Sequence, residues 1–245
     1  MGMNELFQFF KDMSGKFNSN IYAGIRGQSN PQHISFLRQL QKELNKKNNL
    51  DTPLETLKVV VFDLETTGFY PEKGDQAISI GAIKMCGATI EEGEEASFYS
   101  LIKSDKPIPN EISALTNIHN DELAAAPIAL EVLLKFYKFI NGSILVAHHS
   151  SHEKAFMQKM TWDILRTRFE HRLIDTAFLI RLFNSNMKSF TLDEVCKECG
   201  VEIKDRHHAL GDAKMTAQIW SYYVRRAQKM GIVTLREVYE QITKG

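Results

Sequence analysis

The stretch KVVVFDLETTG, residues 58–68, constrains this chain more than any other. Residues 59–62 form an unbroken apolar run, too short for a buried helix and rich in β-branched side chains, which predicts a strand covered on both faces. Such a strand belongs in the middle of a sheet, with strands on either side and helices above and below. Where it should end, it carries two acids. Residues i and i+2 of a strand share a face, so Asp63 and Glu65 project together at the C-terminal end, the end at which open α/β sheets bind ligands. Two like charges held together oppose each other's ionisation, and a divalent cation relieves them. Asp-x-Glu alone also fits a solvated turn with a capping acid. The Gly68 turn that follows, with Thr66 and Thr67, offers amides that a substrate backbone could approach closely.

The remaining periodicities supply the layers. AISIGAIKM and EASFYSLI read as two further strands, and the short turns between them favour an antiparallel meander. Then come a helix around PIALEVLLKFYKFI, a strand at SILVAH, a helix through EKAFMQKM, a strand at RLIDT, and helices near 176–183 and 191–198. A last strong helix spans residues 209–228, with Leu210, Ala213, Ala217, Trp220 and Val224 on one stripe. The expectation is an α/β fold: a mixed five-stranded sheet with helices on both faces. Residues 1–57 read as an N-terminal helical extension, because Leu6, Phe10, Met13 and Phe17, and then Ile34, Leu37, Leu40 and Leu44, fall at helical spacing. Both packing on the main domain and holding a partner suit this extension. Residues 58–230 form the main domain and 231–245 a C-terminal helical tail.

Composition narrows the setting. In 245 residues, Lys plus Arg equals Asp plus Glu at 30 each, so no global positive field draws the chain to polyanions; such binding must come from a local site or a metal. Three cysteines, no N-terminal apolar signal and no apolar run of about 18 residues predict a cytoplasmic protein outside the membrane. Leu6 stands where a myristoylation motif needs Ser or Thr, and the sequon at Asn141 reads as a turn.

Two other segments deliver acids at element ends. HHALGDAKMTAQIW places Asp212 in the first turn of the last helix, with His207 upstream, and LVAHHSSHEKAFM puts Glu153 at the start of a helix. Converging acids without cysteine ligands favour a hard cation such as Mg²⁺ or Mn²⁺. Over about residues 58 to 228 the chain resembles the DEDDh 3′–5′ exonucleases, among them the proofreading epsilon subunit of bacterial DNA polymerase III, ribonuclease T and oligoribonuclease. FDLETTG matches the family's first motif with Asp63 and Glu65, VAHHSSHEKAFM its second, and HHALGDA its third with His207 five residues before Asp212. IPNEISALTNIHNDEL is similar to the segment that cradles the terminal nucleotide, with Leu115 and Thr116 in matching places.

The resemblance implies a ribonuclease H-like fold and two-metal hydrolysis of a phosphodiester. Asp63, Glu65 and Asp212 would hold one Mg²⁺ or Mn²⁺ ion, Asp63 would bridge to a second, and Glu153 would orient the second ion's shell. His207 would accept the proton of the attacking water, and Leu64, Thr66, Thr67, Leu115, Thr116 and His148 would contact substrate. The implied substrate is a single-stranded DNA or RNA 3′ end, DNA favoured, cut to nucleoside 5′-monophosphates. A DNA polymerase is a candidate partner through residues 1–57.

Three positions depart from the family pattern: Glu153 for aspartate, His149 for asparagine and Asn117 for glycine. The longer Glu153 predicts retained but slower or Mn²⁺-favouring activity, and a Glu153→Asp variant with unchanged rate and metal preference would refute that. The rival function is a catalytically impaired nucleic-acid-binding or recruiting module. Rival chemistries are zinc at His148, His149, His152, His207 and His208, a lone C-x-x-C at Cys196 and Cys199, and a cleft or capping role for Asp175.

Overall fold

The computed structural model describes residues 50–184 and 190–244, all within one unit of the chain. The helical patterns at residues 6–17 and 34–44 lie outside the described residues. Strand β1 (Lys58–Thr66) forms as its apolar run demands: Val59, Val60, Val61 and Phe62 are at most 1% exposed. It pairs antiparallel with β2 (Ala77–Cys86) and parallel with β5 (Ile144–Ala147), which pairs parallel with β6 (Leu173–Asp175). β4 (Ser97–Leu101) runs antiparallel along the outer edge of β2, completing the expected meander.

Among the described residues the mixed sheet has six strands rather than five. The additional one, β3, is only Thr89–Ile90 and continues the outer edge of β2 beyond β4. Gly87, at φ 59°, turns the chain so that Thr89 lies opposite Cys86. Two residues cannot display an alternating pattern, so no periodicity marks this strand.

The two faces of β1 are covered by different helices. Val59 and Val61 join a core that includes Ala213, Ala217, Trp220 and Val224 of the long helix α7 (Ala209–Lys229). The same core takes in residues of α5 (Thr176–Phe183), α6 (Leu192–Cys199) and α8 (Leu235–Lys244), as well as Leu54 and Leu57. Phe62 points the other way, with its ring 5.6 Å from that of Phe136 on α3 (Ala129–Ile140). A Tyr137–Thr161 hydroxyl hydrogen bond of 3.0 Å ties α3 to α4 (Ser151–Leu165). Two short helices, α1 (Asn110–Thr116) and α2 (Asn120–Ala125), lie between the meander and α3 in the chain. Because strand parity is two, Asp63 and Glu65 continue the row of Val59 and Val61 and stand on the side of α7.

Gly81 sets how closely α7 approaches. It is the β2 partner of Asp63, and a Cβ there would lie 2.2 Å from the Leu210 nitrogen and 2.3 Å from the Ala209 carbonyl carbon. Only the missing side chain lets the first turn of α7 rest on the sheet beside Asp63. Midway along it, the Trp220 indole donates to the Gly87 carbonyl at 3.1 Å, a second point that fixes the helix on the sheet. Among the described residues no helix is long and apolar enough to cross a membrane.

Candidate active site

The end of β1 and the start of α7 meet at an acidic cluster. One carboxylate oxygen each from Asp63, Glu65 and Asp212 lies within 4.8 Å of the others. Glu65 and Asp212 are buried, so these charges have little water to screen them. Loss of water, followed by the charges of Glu153, Glu65 and Asp212, holds Asp63 well above the usual carboxylate range. Burial and then the charge of Asp212 push Glu65 up to about 8. Asp212 rises only to about 6, because Arg206 and the His207 amide counteract the effect of its burial.

Glu153, in the first turn of α4, is 4% exposed, and its Oε2 has no hydrogen-bond partner among the described residues. Burial, with the nearby charges of Asp175 and Glu65, lifts it to about 8. It stands outside the 4.8 Å group but close enough to act on Asp63. Asp175 takes the capping role: its Oδ1 accepts from the Ala177 amide at the start of α5 and its Oδ2 from the Ser150 amide, both at 2.8 Å.

His207 follows at a left-handed φ of 61°, and its amide donates to Asp212 Oδ1 at 3.3 Å. Burial and the neighbouring Arg206 charge lower its pKa, which keeps the ring neutral and able to take a proton. His208 stacks on Tyr99 with ring centroids 4.5 Å apart and is thereby occupied elsewhere. Arg206, which motif reading passes over, sits on Asp212 through Nη1 and on Asp193 through Nε. Its only sequence signal is adjacency to His207.

The remaining residues singled out from the sequence fall into two groups. Thr66 Oγ1 donates to the Gly68 carbonyl at 2.7 Å and lies 3.4 Å from His152 Nε2. Thr67 and the Tyr70 amide both bond Asp75, which closes the turn after β1 so tightly that a Cβ on Gly68 would meet the Asp75 carboxylate. Leu115 is 50% exposed, whereas Thr116 is buried and bonds the Ile112 carbonyl; Asn117 adopts the left-handed conformation expected in place of glycine. Leu64 is buried in β1. His148 is buried as well, with Nε2 donating to the Phe190 carbonyl and Nδ1 2.7 Å from the Thr176 hydroxyl. Burial first, then the charge of His149, takes it down to about 4. The histidine that stands beside the first-motif turn is His152, 5.9 Å from the ring of the exposed Phe69. Cys196 and Cys199 are unpaired thiols pushed up to about 11, chiefly by burial, which suits neither redox exchange nor metal binding.

The donor set fits a hard divalent cation. It is all carboxylate oxygen, its members repel one another, and Glu153 keeps a buried oxygen without a donor. Acids gathered at the C-terminal end of a central strand and the first turn of a covering helix make a site suited to metal-assisted hydrolysis. Comparison supplies the family: residues 60–220 match the RNase_T family model, described as "Exonuclease", and the chain belongs to that family. It is 34% identical over 161 residues to the DNA polymerase III subunit epsilon of Aquifex aeolicus, a match covering 66% of this chain and 77% of that one. It is 31% identical over 196 residues to a DNA polymerase III subunit epsilon-like protein of Rhodobacter capsulatus, covering 79% of this chain but 27% of that protein. Among solved structures, E. coli Exonuclease I in complex with a dT13 oligonucleotide superposes with a TM-score of 0.60 at 14% identity, covering 72% of this chain and 43% of the other.

Proposed function

We propose that this chain is a 3′–5′ exonuclease that trims single-stranded nucleic acid, DNA in preference to RNA, and releases nucleoside 5′-monophosphates. The observation that carries this reading is the meeting of Asp63, Glu65 and Asp212 within 4.8 Å, in a chain whose second-motif acid, Glu153, has a buried oxygen without a donor. Asp63, Glu65 and Asp212 are the residues to hold a Mg²⁺ or Mn²⁺ ion, and Asp63 and Glu153 those that face a second. Bound there, the paired ions supply charge stabilisation for both the attacking and leaving oxygens of an in-line displacement.

The chain's own groups supply the rest. His207, neutral at physiological pH, takes the proton from the attacking water at a ring nitrogen. Arg206 and the His207 amide hold Asp212 in place. Leu115 and Phe69, both exposed, are apolar surfaces against which terminal bases can pack, while Thr66 and Thr67 shape the turn beside them. The polymerase III names of the relatives support the preference for DNA and a polymerase as partner, with residues 1–57 as the candidate docking segment. The three thiols, free of disulfides, support a reducing, cytoplasmic compartment.

The test uses 5′- and 3′-labelled single-stranded DNA and RNA with Mg²⁺ or Mn²⁺. Wild type should shorten DNA from the 3′ end. Asp63→Ala should abolish cleavage, and His207→Ala should slow it by about 10²–10⁴-fold, the range for losing a general base. Metal-independent cleavage, or none in any polymer, would refute the reading; the binding module would then be the better account of Glu153.

A further inference from the structure

Every oxygen of Asp212 is already engaged. Oδ1 accepts the His207 amide at 3.3 Å and Oδ2 accepts Arg206 Nη1. The guanidinium is held from its other side as well, with Nε 2.5 Å from Asp193 Oδ1 in the first turn of α6. Its backbone has little freedom to withdraw. Asp205 and His207 on either side take left-handed φ values of 51° and 61°, and a Cβ on Gly211 would lie 2.1 Å from the Asp205 carbonyl oxygen. The loop is therefore laid directly on the first turn of α7. An ion entering among Asp63, Glu65 and Asp212 meets a positive group already seated on one of its ligands.

We infer that Arg206 is a resident counter-cation: it neutralises the acid cluster while no metal is bound and competes with the incoming divalent ion for Asp212. This rests on the reading of the cluster as a metal site. The charges support it, because the guanidinium that sits on Asp212 also acts on Asp63 and Glu65, favouring the charged form of all three. Without that cation Asp212 would lose the ion pair that offsets its burial beside Asp63 and Glu65. With a divalent ion in place the guanidinium becomes a like charge to it, so its hold on Asp212 weakens while Asp193 keeps it at the edge of the site. Arg206 thus acts as a positioning residue that sets metal affinity.

Calorimetric titration of Mn²⁺ into wild type, Arg206→Gln and Arg206→Lys, with melting curves in EDTA, tests this. Arg206→Gln should bind Mn²⁺ about tenfold more tightly, the order expected on removing a nearby like charge, and should melt below wild type in EDTA. Arg206→Lys, which keeps the charge but loses the two-sided fork, should fall between them. Unchanged or weaker Mn²⁺ binding by Arg206→Gln overturns the competition. Wild type that takes up no divalent ion overturns the metal-site reading itself, so the two failures are distinct. Should Arg206→Gln not fold, the wild type still decides. Its Arg206 side-chain ¹⁵Nε resonance, assigned by its loss in Arg206→Lys, should shift and exchange faster on saturation with Mg²⁺, and an unmoved resonance overturns the inference.

Discussion

Asp63 places a carboxylate where burial and three other acids all oppose its charge. Neutralising it without changing its shape should relieve that opposition. Asp63→Asn is expected to melt a few degrees above wild type in EDTA, corresponding to about 1 kcal/mol, and to lose most of the stabilisation that Mn²⁺ gives wild type. Thermal melts with and without metal would check both halves, and a variant that melts lower in EDTA would argue against a strained acid cluster. His171 gives the opposite kind of test, away from the acids. Its ring lies between Tyr137 and Phe169, with centroids 5.1 and 5.3 Å away, and neither nitrogen has a hydrogen-bond partner among the described residues. Burial lowers its pKa from 6.5 to about 4. A base with a depressed folded pKa leaves the unfolded chain binding more protons, so its penalty is absent above about pH 6.5 and grows as pH falls toward 4. His171→Phe should therefore gain on wild type over that window, by on the order of 2 kcal/mol at its lower end. Comparing the two proteins at each pH cancels the acid cluster, whose raised pKa values bias stability the other way, favouring low pH.

At the scale of elements, the site is a crossing of β1 and α7 that Gly81 permits. Gly81→Ala would push a methyl group into backbone rather than into a side chain that can turn aside. The expected cost is about 1–3 kcal/mol of stability, together with weaker Mn²⁺ binding as Asp212 is carried away from Asp63; intact metal affinity would show that the helix can shift without the site. Most elements were legible because their periods are long. β1, β2, β5, α3, α7 and the acids at their ends follow from apolar runs and stripes that burial then enforces. β3 was not, because a two-residue strand has no period. The crossing distance was not either: Gly81 reads as an ordinary strand glycine until α7 lies on it.

The whole molecule has no net charge, which bears on how it would hold a strand. Lys103 and Lys106, three residues apart, and the distant Lys159 line one cavity together with Asp75 and Asp163, and Lys159 is paired to Asp163. Acids are thus interspersed with the basic groups here, and grip on phosphates is expected to concentrate at the 3′ end. The logarithm of affinity for single-stranded DNA is expected to fall with the logarithm of salt with a slope of about −2 or shallower, equivalent to roughly three phosphates. A slope near −5 would point to a long tracking groove instead. The sequence by itself determined the class of fold, the central strand and the identity of the acids, because these rest on local periodicity and on residue types at element ends. Only the tertiary structure decided what each polar group does. It turned His148 inward onto Thr176 and Phe190 and stacked His208 on Tyr99. It set Asp175 as a cap and seated Arg206 between Asp193 and Asp212. Hydrogen bonds and ion pairs join residues whose neighbours are brought together by packing, and a linear pattern does not contain those distances.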